Sequence, residues 1–259
     1  MPIAILKQQG AENQMTVTQG ATRRLRVVTW NIHSSIDHRG RYTPERTARM
    51  IRQLEPDIVA LQEANVAAKP ATDRLLKALT PQLPHWLFAP TQERGCRHRP
   101  DETTHFGNLI VSRWPIQPES PLDLSYARRE PRHALRARVT LPEAALHCWV
   151  VHLGLGLAER REQGRRLADA LEGVPASEPL MLAGDFNEWL PRAKSLRVLR
   201  RKITRLPSQR SFPATRPLLS LDQVWIRGAL QAHGLEVPRS PILARISDHL
   251  PVVADLTLG

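Results

Sequence analysis

Cysteine is scarce in this chain: Cys96 and Cys148 are the only two in 259 residues. Two thiols cannot build the disulfide framework of a small secreted scaffold. Cys148 lies inside a strand-like apolar run and reads as a small buried hydrophobe. Long apolar runs are also missing. Nothing approaches the roughly 18 consecutive apolar residues of a membrane-spanning helix. Residues 1–20 lack the basic start and apolar stretch of a secretory signal, so a cytoplasmic protein is expected. Lysine is rare too, with 32 of the 37 cations being Arg. An arginine-heavy composition is what a GC-rich genome produces. The net charge of +12 therefore suggests a polyanionic partner, such as nucleic acid, anionic lipid or a phosphorylated substrate, without choosing among them.

Several catalytic signatures are absent. No His-Glu-x-x-His occurs, which argues against a zinc protease, and Cys96, His98 and His105 share one loop without zinc-ligand spacing. No Gly-x-Ser-x-Gly provides a nucleophile elbow, and no Gly-x-x-x-x-Gly-Lys provides a P-loop. The segment Gly154-Leu155-Gly156-Leu157-Ala158-Glu159 begins like a dinucleotide fingerprint but lacks its last small residue. It reads as a turn into a helix.

What is present is an ordinary globular composition, 41% hydrophobic and 24% charged, on a chain long enough to bury a substantial core. Residues 1–22 are polar and aperiodic and are expected to be a disordered arm; 23–259 is expected to be a single domain. Within it, β-branched apolar runs alternate with amphipathic segments. Strands are predicted at 25–32, 57–61, 108–111, 133–141, 146–153, 180–183, 223–226 and 251–256. Helices are predicted at 44–54, 72–83, 157–172 and, as a basic helix, 192–201. Loops are predicted at 95–104 and 207–217. The short gap between 133–141 and 146–153 permits only a hairpin, so the sheets must be mixed.

Polar residues recur at the ends of the apolar runs. Val27-Val28-Thr29-Trp30 ends in Asn31. Ile58-Val59-Ala60-Leu61 ends in Gln62-Glu63. Trp149-Val150-Val151 ends in His152, and Leu180-Met181-Leu182-Ala183-Gly184 ends in Asp185-Phe186-Asn187. In mirror image, Asp222 precedes Val224-Trp225-Ile226, and Asp248-His249 precedes Leu250-Pro251-Val252-Val253. In a sheet with antiparallel pairs these clusters can meet at one rim, where sites on α/β folds are commonly built. Asn31, Glu63 and Asp248 are hard oxygen donors suited to Mg²⁺ or Mn²⁺. His249 and His152 can handle protons near neutral pH, and Asp222 is the carboxylate that would orient an imidazole. Asp185 and Asn187, two apart, offer an acceptor and an amide to one water or phosphate oxygen.

Taken in order, Thr29-Trp30-Asn31-Ile32, Leu61-Gln62-Glu63, Gly107-Asn108-Leu109-Ile110-Val111-Ser112-Arg113, Val151-His152-Leu153, Gly184-Asp185-Phe186-Asn187, Leu221-Asp222 and Ser247-Asp248-His249 resemble the endonuclease/exonuclease/phosphatase superfamily of DNase I-like phosphoesterases. The resemblance spans nearly the whole folded region. It implies a four-layer α/β/β/α sandwich of two mixed sheets flanked by helices. It also implies a Mg²⁺-dependent phosphoester hydrolase, with a phosphodiester in nucleic acid or a related molecule as substrate. By position, it implies Asn31, Glu63 and Asp248 as the metal site. It implies His249 as general base or phosphate contact with Asp222 as its partner, and His152 as a second catalytic His. Asp185 and Asn187 would position water and phosphate, with Asn108 and Arg132 near the phosphate.

Departures narrow the branch. Ser220-Leu221-Asp222-Gln223-Val224 differs from the abasic-endonuclease segment. Gly184-Asp185-Phe186-Asn187-Glu188-Trp189 differs from that of inositol polyphosphate 5-phosphatases. The chain is most similar to the short bacterial branch typified by YbhP-like proteins, whose substrate the motifs leave open. A phospholipid or small phosphodiester is the alternative substrate. A non-catalytic basic nucleic-acid-binding module is the rival of another class.

Overall fold

The computed structural model describes residues 6–8, 24–96, 99–190, 192–207 and 209–259, the side chains of 6–8 and 93–102 excepted. The first sheet contains β1 (Leu6–Gln8), β2 (Arg24–Asn31), β3 (Ile58–Ala67), β4 (His85–Cys96) and β5 (Arg99–Ser112). The second contains β6 (Ile116–Pro118), β7 (Leu122–Asp123), β8 (His133–Thr140), β9 (Ala145–His152), β10 (Leu180–Asp185), β11 (Thr204–Arg205) and β12 (Asp222–Arg227). The chain then returns to the first sheet with β13 (Leu230–Glu236) and β14 (Val252–Leu258). Strand orders are β1-β4-β5-β3-β2-β14-β13 and β11-β12-β10-β9-β8-β6, with β7 alongside β8. Both sheets are mixed: β2–β3 and β9–β10 are parallel, their neighbours antiparallel.

Period-two alternation explains the layering. In β9, Leu146, Cys148 and Val150 face the other sheet, as do Met181 and Ala183 of β10 and Val224 of β12. The alternate residues Trp149, Val151, Leu180, Leu182 and Trp225 form a second core on the opposite face. There they meet Leu167 and Ala168 of α3 (Leu157–Ala170). Strands buried on both faces read as continuous apolar runs. The first sheet is covered by α1 (Pro44–Gln53) and α2 (Arg74–Leu79), whose Ala48, Ile51, Leu75 and Leu76 join the main core. A one-turn helix, α4 (Leu243–Ile246), precedes the last strand. Two mixed sheets flanked by helices are the predicted architecture.

Several local expectations need correction. Of residues 95–104, expected as a loop, 95–96 and 99–104 belong to the paired strands β4 and β5, because cross-strand pairing outweighs their polar composition, while 97–98 lie outside the described residues. Helix α2 is shorter than 72–83: Asp73 accepts Leu76 N–H at 3.0 Å as its cap, and Pro81, which has no N–H to donate, follows its C-cap Thr80. The basic helix expected over 192–201 is two 3₁₀ turns, Lys194–Leu196 and Leu199–Arg201. Buried Leu196 and Leu199 lie three residues apart, a spacing that suits the tighter turn. β13 was not predicted; its residues are mostly exposed and present no apolar stripe. In the expected disordered arm, Leu6–Gln8 pairs with Trp86–Phe88 of β4, while the remainder of 1–22 lies outside the described residues.

Candidate active site

Strand register gathers the polar strand ends. Asp185 pairs with His152 across the parallel β9–β10 ladder and with Asp222 across the antiparallel β10–β12 ladder. Asn31 pairs with Gln62. Because β14 runs antiparallel to β2 with Val252 opposite Thr29, Asp248 and His249 arrive at the rim where Asn31 ends its strand. One sheet thus supplies Asn31, Glu63, Asp248 and His249; the other supplies His152, Asp185, Asn187 and Asp222.

The backbone is bent to serve this rim. A bulge in β3 shifts the register between Leu61 and Ala64, and Glu63 sits within it at φ +54°. Asn187 has φ +49°, and His33, Ser34 and Ser35 form a left-handed turn beyond Asn31 with φ of 45°, 54° and 57°. Such conformations cost of order 1–3 kcal/mol each for non-glycine residues and collect at functional sites. Gly184 is required where β10 passes β9: its φ is +145°, and a Cβ there would collide with the Val151 carbonyl oxygen.

The contacts are continuous. Asn31 Nδ2 donates to Glu63 Oε1 at 3.0 Å and to Asp185 Oδ2 at 3.2 Å. Asp185 Oδ2 lies 3.5 Å from His152 Nε2 and 3.7 Å from His249 Nε2. His152 Nε2 is 4.0 Å from Glu63 Oε1. On its far side, His249 Nδ1 meets Asp222 Oδ2 at 2.8 Å. The Asn187 N–H donates to Asp185 Oδ1 at 2.8 Å, and its Nδ2 donates to the Leu153 carbonyl at 2.8 Å. The Asn108 amide spends its donors on the His133 and Val150 carbonyls, at 2.9 and 3.4 Å, tying one sheet to the other. Asp248 is exposed and shares a cavity of about 350 Å³ with His33, Asp37 and His38. Among the described residues, no hydrogen bond or ion pair joins it to Asn31, Glu63 or Asp185.

Electrostatics separates the two imidazoles. Burial works against a charged His249, but Asp222, Asp185 and Asp248 outweigh it and raise its pKa to about 10. His152 is held well below its ordinary value by burial, by Arg132 and by His249. Arg132 Nη1 is 2.8 Å from His152 Nδ1. A guanidinium can only donate, so Nδ1 accepts and the ring proton resides on Nε2, facing Asp185 and Glu63. Burial and then Asp222 push the Asp185 carboxyl up to about 6, against the pull of His249 and of the Asn187 and Asn31 donors.

Several supporting residues receive no role in the sequence reading. Ser211 donates its hydroxyl to Asp222 Oδ2, and Phe212 packs on the His249 ring with centroids 4.7 Å apart. Trp30 Nε1 holds the His249 carbonyl at 2.8 Å. Ser247 Oγ donates to the Asn31 carbonyl at 2.7 Å; it is legible only as part of Ser247-Asp248-His249.

The donor set suits a hard divalent cation. The Glu63 and Asp185 carboxylates converge on Asn31, whose Nδ2 meets both while its Oδ1 accepts from the His33 N–H at 3.2 Å, and Asp222 keeps a buried Oδ1 without a hydrogen-bond partner. Asp185, Asp222 and His249 also present ligand-type atoms within 4.8 Å of one another. The 2.8 Å bond between Asp222 and His249 already accounts for that approach as an imidazole–carboxylate pair.

Comparison with known proteins gives a consistent result. The profile of the Endonuclease/Exonuclease/phosphatase family matches residues 28–249. The chain is 32% identical over 246 residues to the Escherichia coli (strain K12) protein "Uncharacterized protein YbhP", covering 90% of this chain and 96% of the relative. Among solved structures, the endonuclease/exonuclease/phosphatase from Beutenbergia cavernae DSM 12333 aligns with TM-score 0.74 and 26% identity, covering 92% of this chain and 72% of the other. D. rerio TDP2 complexed with single-strand DNA product aligns with TM-score 0.65 and 17% identity, covering 90% and 98%. That last likeness is one of fold.

Proposed function

The chain belongs to the endonuclease/exonuclease/phosphatase family, and from that premise we propose that it is a divalent-metal-dependent phosphodiesterase acting by in-line attack of water. The family is hydrolytic and typically depends on a divalent metal. The observation that carries the proposal is the unbroken run of contacts from Asp222 through His249 and Asp185 to His152, beside Asn31 and Glu63.

Glu63 and Asn31, with Asp248 as a further acid on the same rim, would hold Mg²⁺ or Mn²⁺, which when bound supplies Lewis-acid and template chemistry at the phosphate. The chain's own groups divide the remaining work. His249, cationic at neutral pH and oriented by Asp222, donates Nε2–H to a phosphate oxygen and balances developing charge. Asp185, with its pKa near 6, is ionised at neutral pH and basic enough to take the proton of the attacking water. Between the two sequence candidates for the base, electrostatics thus favours Asp185. Asn187 fixes that carboxylate through its backbone N–H. His152 serves as a neutral Nε2–H donor, and Arg132 acts through it as a positioning residue.

The substrate class is a phosphodiester on a polyanion. The charge of +12 suits nucleic acid or an anionic phospholipid, and the DNA complex of the D. rerio neighbour supports including nucleic acid. The test is release of nitrophenol from bis(4-nitrophenyl) phosphate, followed by plasmid, single-stranded DNA, RNA and phospholipid. Activity is expected with Mg²⁺ or Mn²⁺, abolished by EDTA and restored by either ion. His249→Ala and Asp185→Ala are each expected to lose about 10²-fold or more. Metal-independent DNA binding with no hydrolysis of any phosphoester would instead indicate a non-catalytic basic module.

A further inference from the structure

Two rim loops carry apolar side chains that the catalytic chemistry does not use. Leu155 (74% exposed) and Leu157 (64%) follow His152, while Trp189 (45%) and Leu190 (55%) follow Asn187. They line one open groove of about 900 Å³. Four large apolar side chains exposed side by side are unusual on a soluble surface and mark a site of interaction.

The loops are held in place from beneath. Arg160, 4% exposed, donates Nη1 to the Leu155 carbonyl at 2.6 Å and Nε to Glu188 at 3.3 Å. Its guanidinium lies 5.7 Å from the Trp189 ring centroid. Glu188 also accepts from Ser195 Oγ at 2.6 Å and from the Leu190 N–H at 3.2 Å. The apolar tips are therefore presented on a braced scaffold.

The surround is basic. Arg192 and Lys194 line the same groove, and Arg161 lies beside Leu157 and Lys194. All three are exposed, and none pairs with a carboxylate among the described residues. The nearby acids are engaged: Glu188 with Arg160, and Glu162 with Arg165 and Arg166.

We propose that this rim docks on an anionic phospholipid bilayer. Leucine and tryptophan side chains enter the interfacial layer while arginine and lysine meet headgroup phosphates. Leucines gain nothing from stacking on bases, and one tryptophan among three leucines is a poor nucleic-acid platform. A second copy would set the unpaired cations against their own images. A bilayer satisfies both halves of the surface, since it accepts apolar insertion and its negative potential attracts basic residues. Both loops leave from catalytic strand ends, so docking turns the site toward the headgroups. That consequence, unlike the docking itself, rests on the phosphodiesterase reading.

The test is co-flotation of the full chain with vesicles of phosphatidylcholine alone and of phosphatidylcholine mixed equally with phosphatidylglycerol. Trp189 emission provides a second readout, because the other five tryptophans, Trp30, Trp86, Trp114, Trp149 and Trp225, are buried. Binding to the anionic vesicles is expected, with a blue shift that Trp189→Phe removes. Leu155→Ser/Leu157→Ser should weaken binding at least about tenfold, from the lost apolar burial. Arg192→Glu/Lys194→Glu should abolish the preference for anionic lipid. Hydrolysis of bis(4-nitrophenyl) phosphate by these variants should equal that of the parent, which verifies their folding. Absence of vesicle binding, binding unchanged by the leucine substitutions, or binding lost entirely in high salt would overturn docking. Vesicle binding by a protein inactive on the soluble diester would leave docking standing and remove the catalytic reading.

Discussion

Replacing Asp222 by Asn is the sharpest test of the proposed division of labour. Asp222 is fully buried, and its Oδ2 lies 2.8 Å from His249 Nδ1. At a charge separation of about 4 Å and an effective dielectric near 20, the pair is worth about 4 kcal/mol. That corresponds to about 3 pH units on the imidazole. Burial alone disfavours the cation, so in Asp222→Asn the titration of His249 should fall from about 10 to near neutrality or below. The neutral ring would then lose both its charge and its enforced Nδ1–H orientation. A drop in kcat of about 10²–10⁴ follows, the range spanned by general acid–base terms and by the loss of an orienting aspartate. The assays are turnover of bis(4-nitrophenyl) phosphate and an NMR titration of the His249 Cε1–H. Stability gives an independent sign. A raised histidine pKa contributes fully below its unfolded value near 6.5 and loses that contribution as pH rises through about 10. The stability gap between parent and variant should therefore close in alkali. Turnover within about threefold of the parent, or an unmoved His249 titration, would refute the reasoning.

Other expectations follow from the same geometry. If Asp185 is the base, kcat/KM should rise with pH through an apparent pKa near 6, and Asp185→Asn should remove that acid limb with the residual activity; a pH–rate series checks both. Arg132→Leu frees His152 Nδ1 from the guanidinium that fixes its tautomer. It should shift the ¹⁵N resonances of that ring toward mixed tautomers and lower kcat about tenfold or more, with little change in KM. Asp37 is buried, which raises its pKa, but the Arg41 side chain and the Arg41 and Arg39 N–H groups outweigh this and hold it at about 2. Its stabilisation is present above the unfolded value near 3.8 and is lost as pH falls through about 2. Asp37→Asn should cost about 1–2 kcal/mol in urea melts at pH 7, and the cost should vanish in strong acid.

Much of the site was legible because its residues terminate recognisable strands. A short β-branched run ending in Asn, Gln-Glu, His or Asp-Phe-Asn announces both the strand and the polar group at its end. The family motifs supplied the order and hence the sheet architecture. Less could be read where local composition and tertiary pairing disagree. The polar ends of β4 and β5 at 95–96 and 99–104 and the exposed β13 lack an apolar stripe, so only their ladder partners reveal them. Arg132 looked like a phosphate contact from its position; only the folded chain seats its guanidinium on His152 Nδ1.

The amino-acid order by itself determined which strands end in chemistry-bearing side chains, because alternation and turn residues act over a few positions. Tertiary structure alone decided which of those ends touch. The parallel pairing of β9 with β10 and the antiparallel pairing of β10 with β12 bring His152 and Asp222 to either side of Asp185. It also decided the charge each group carries, since the neighbouring carboxylates raise the pKa of His249 while burial, Arg132 and His249 lower that of His152. Proximity and desolvation are properties of packing between distant segments, and no local pattern encodes them.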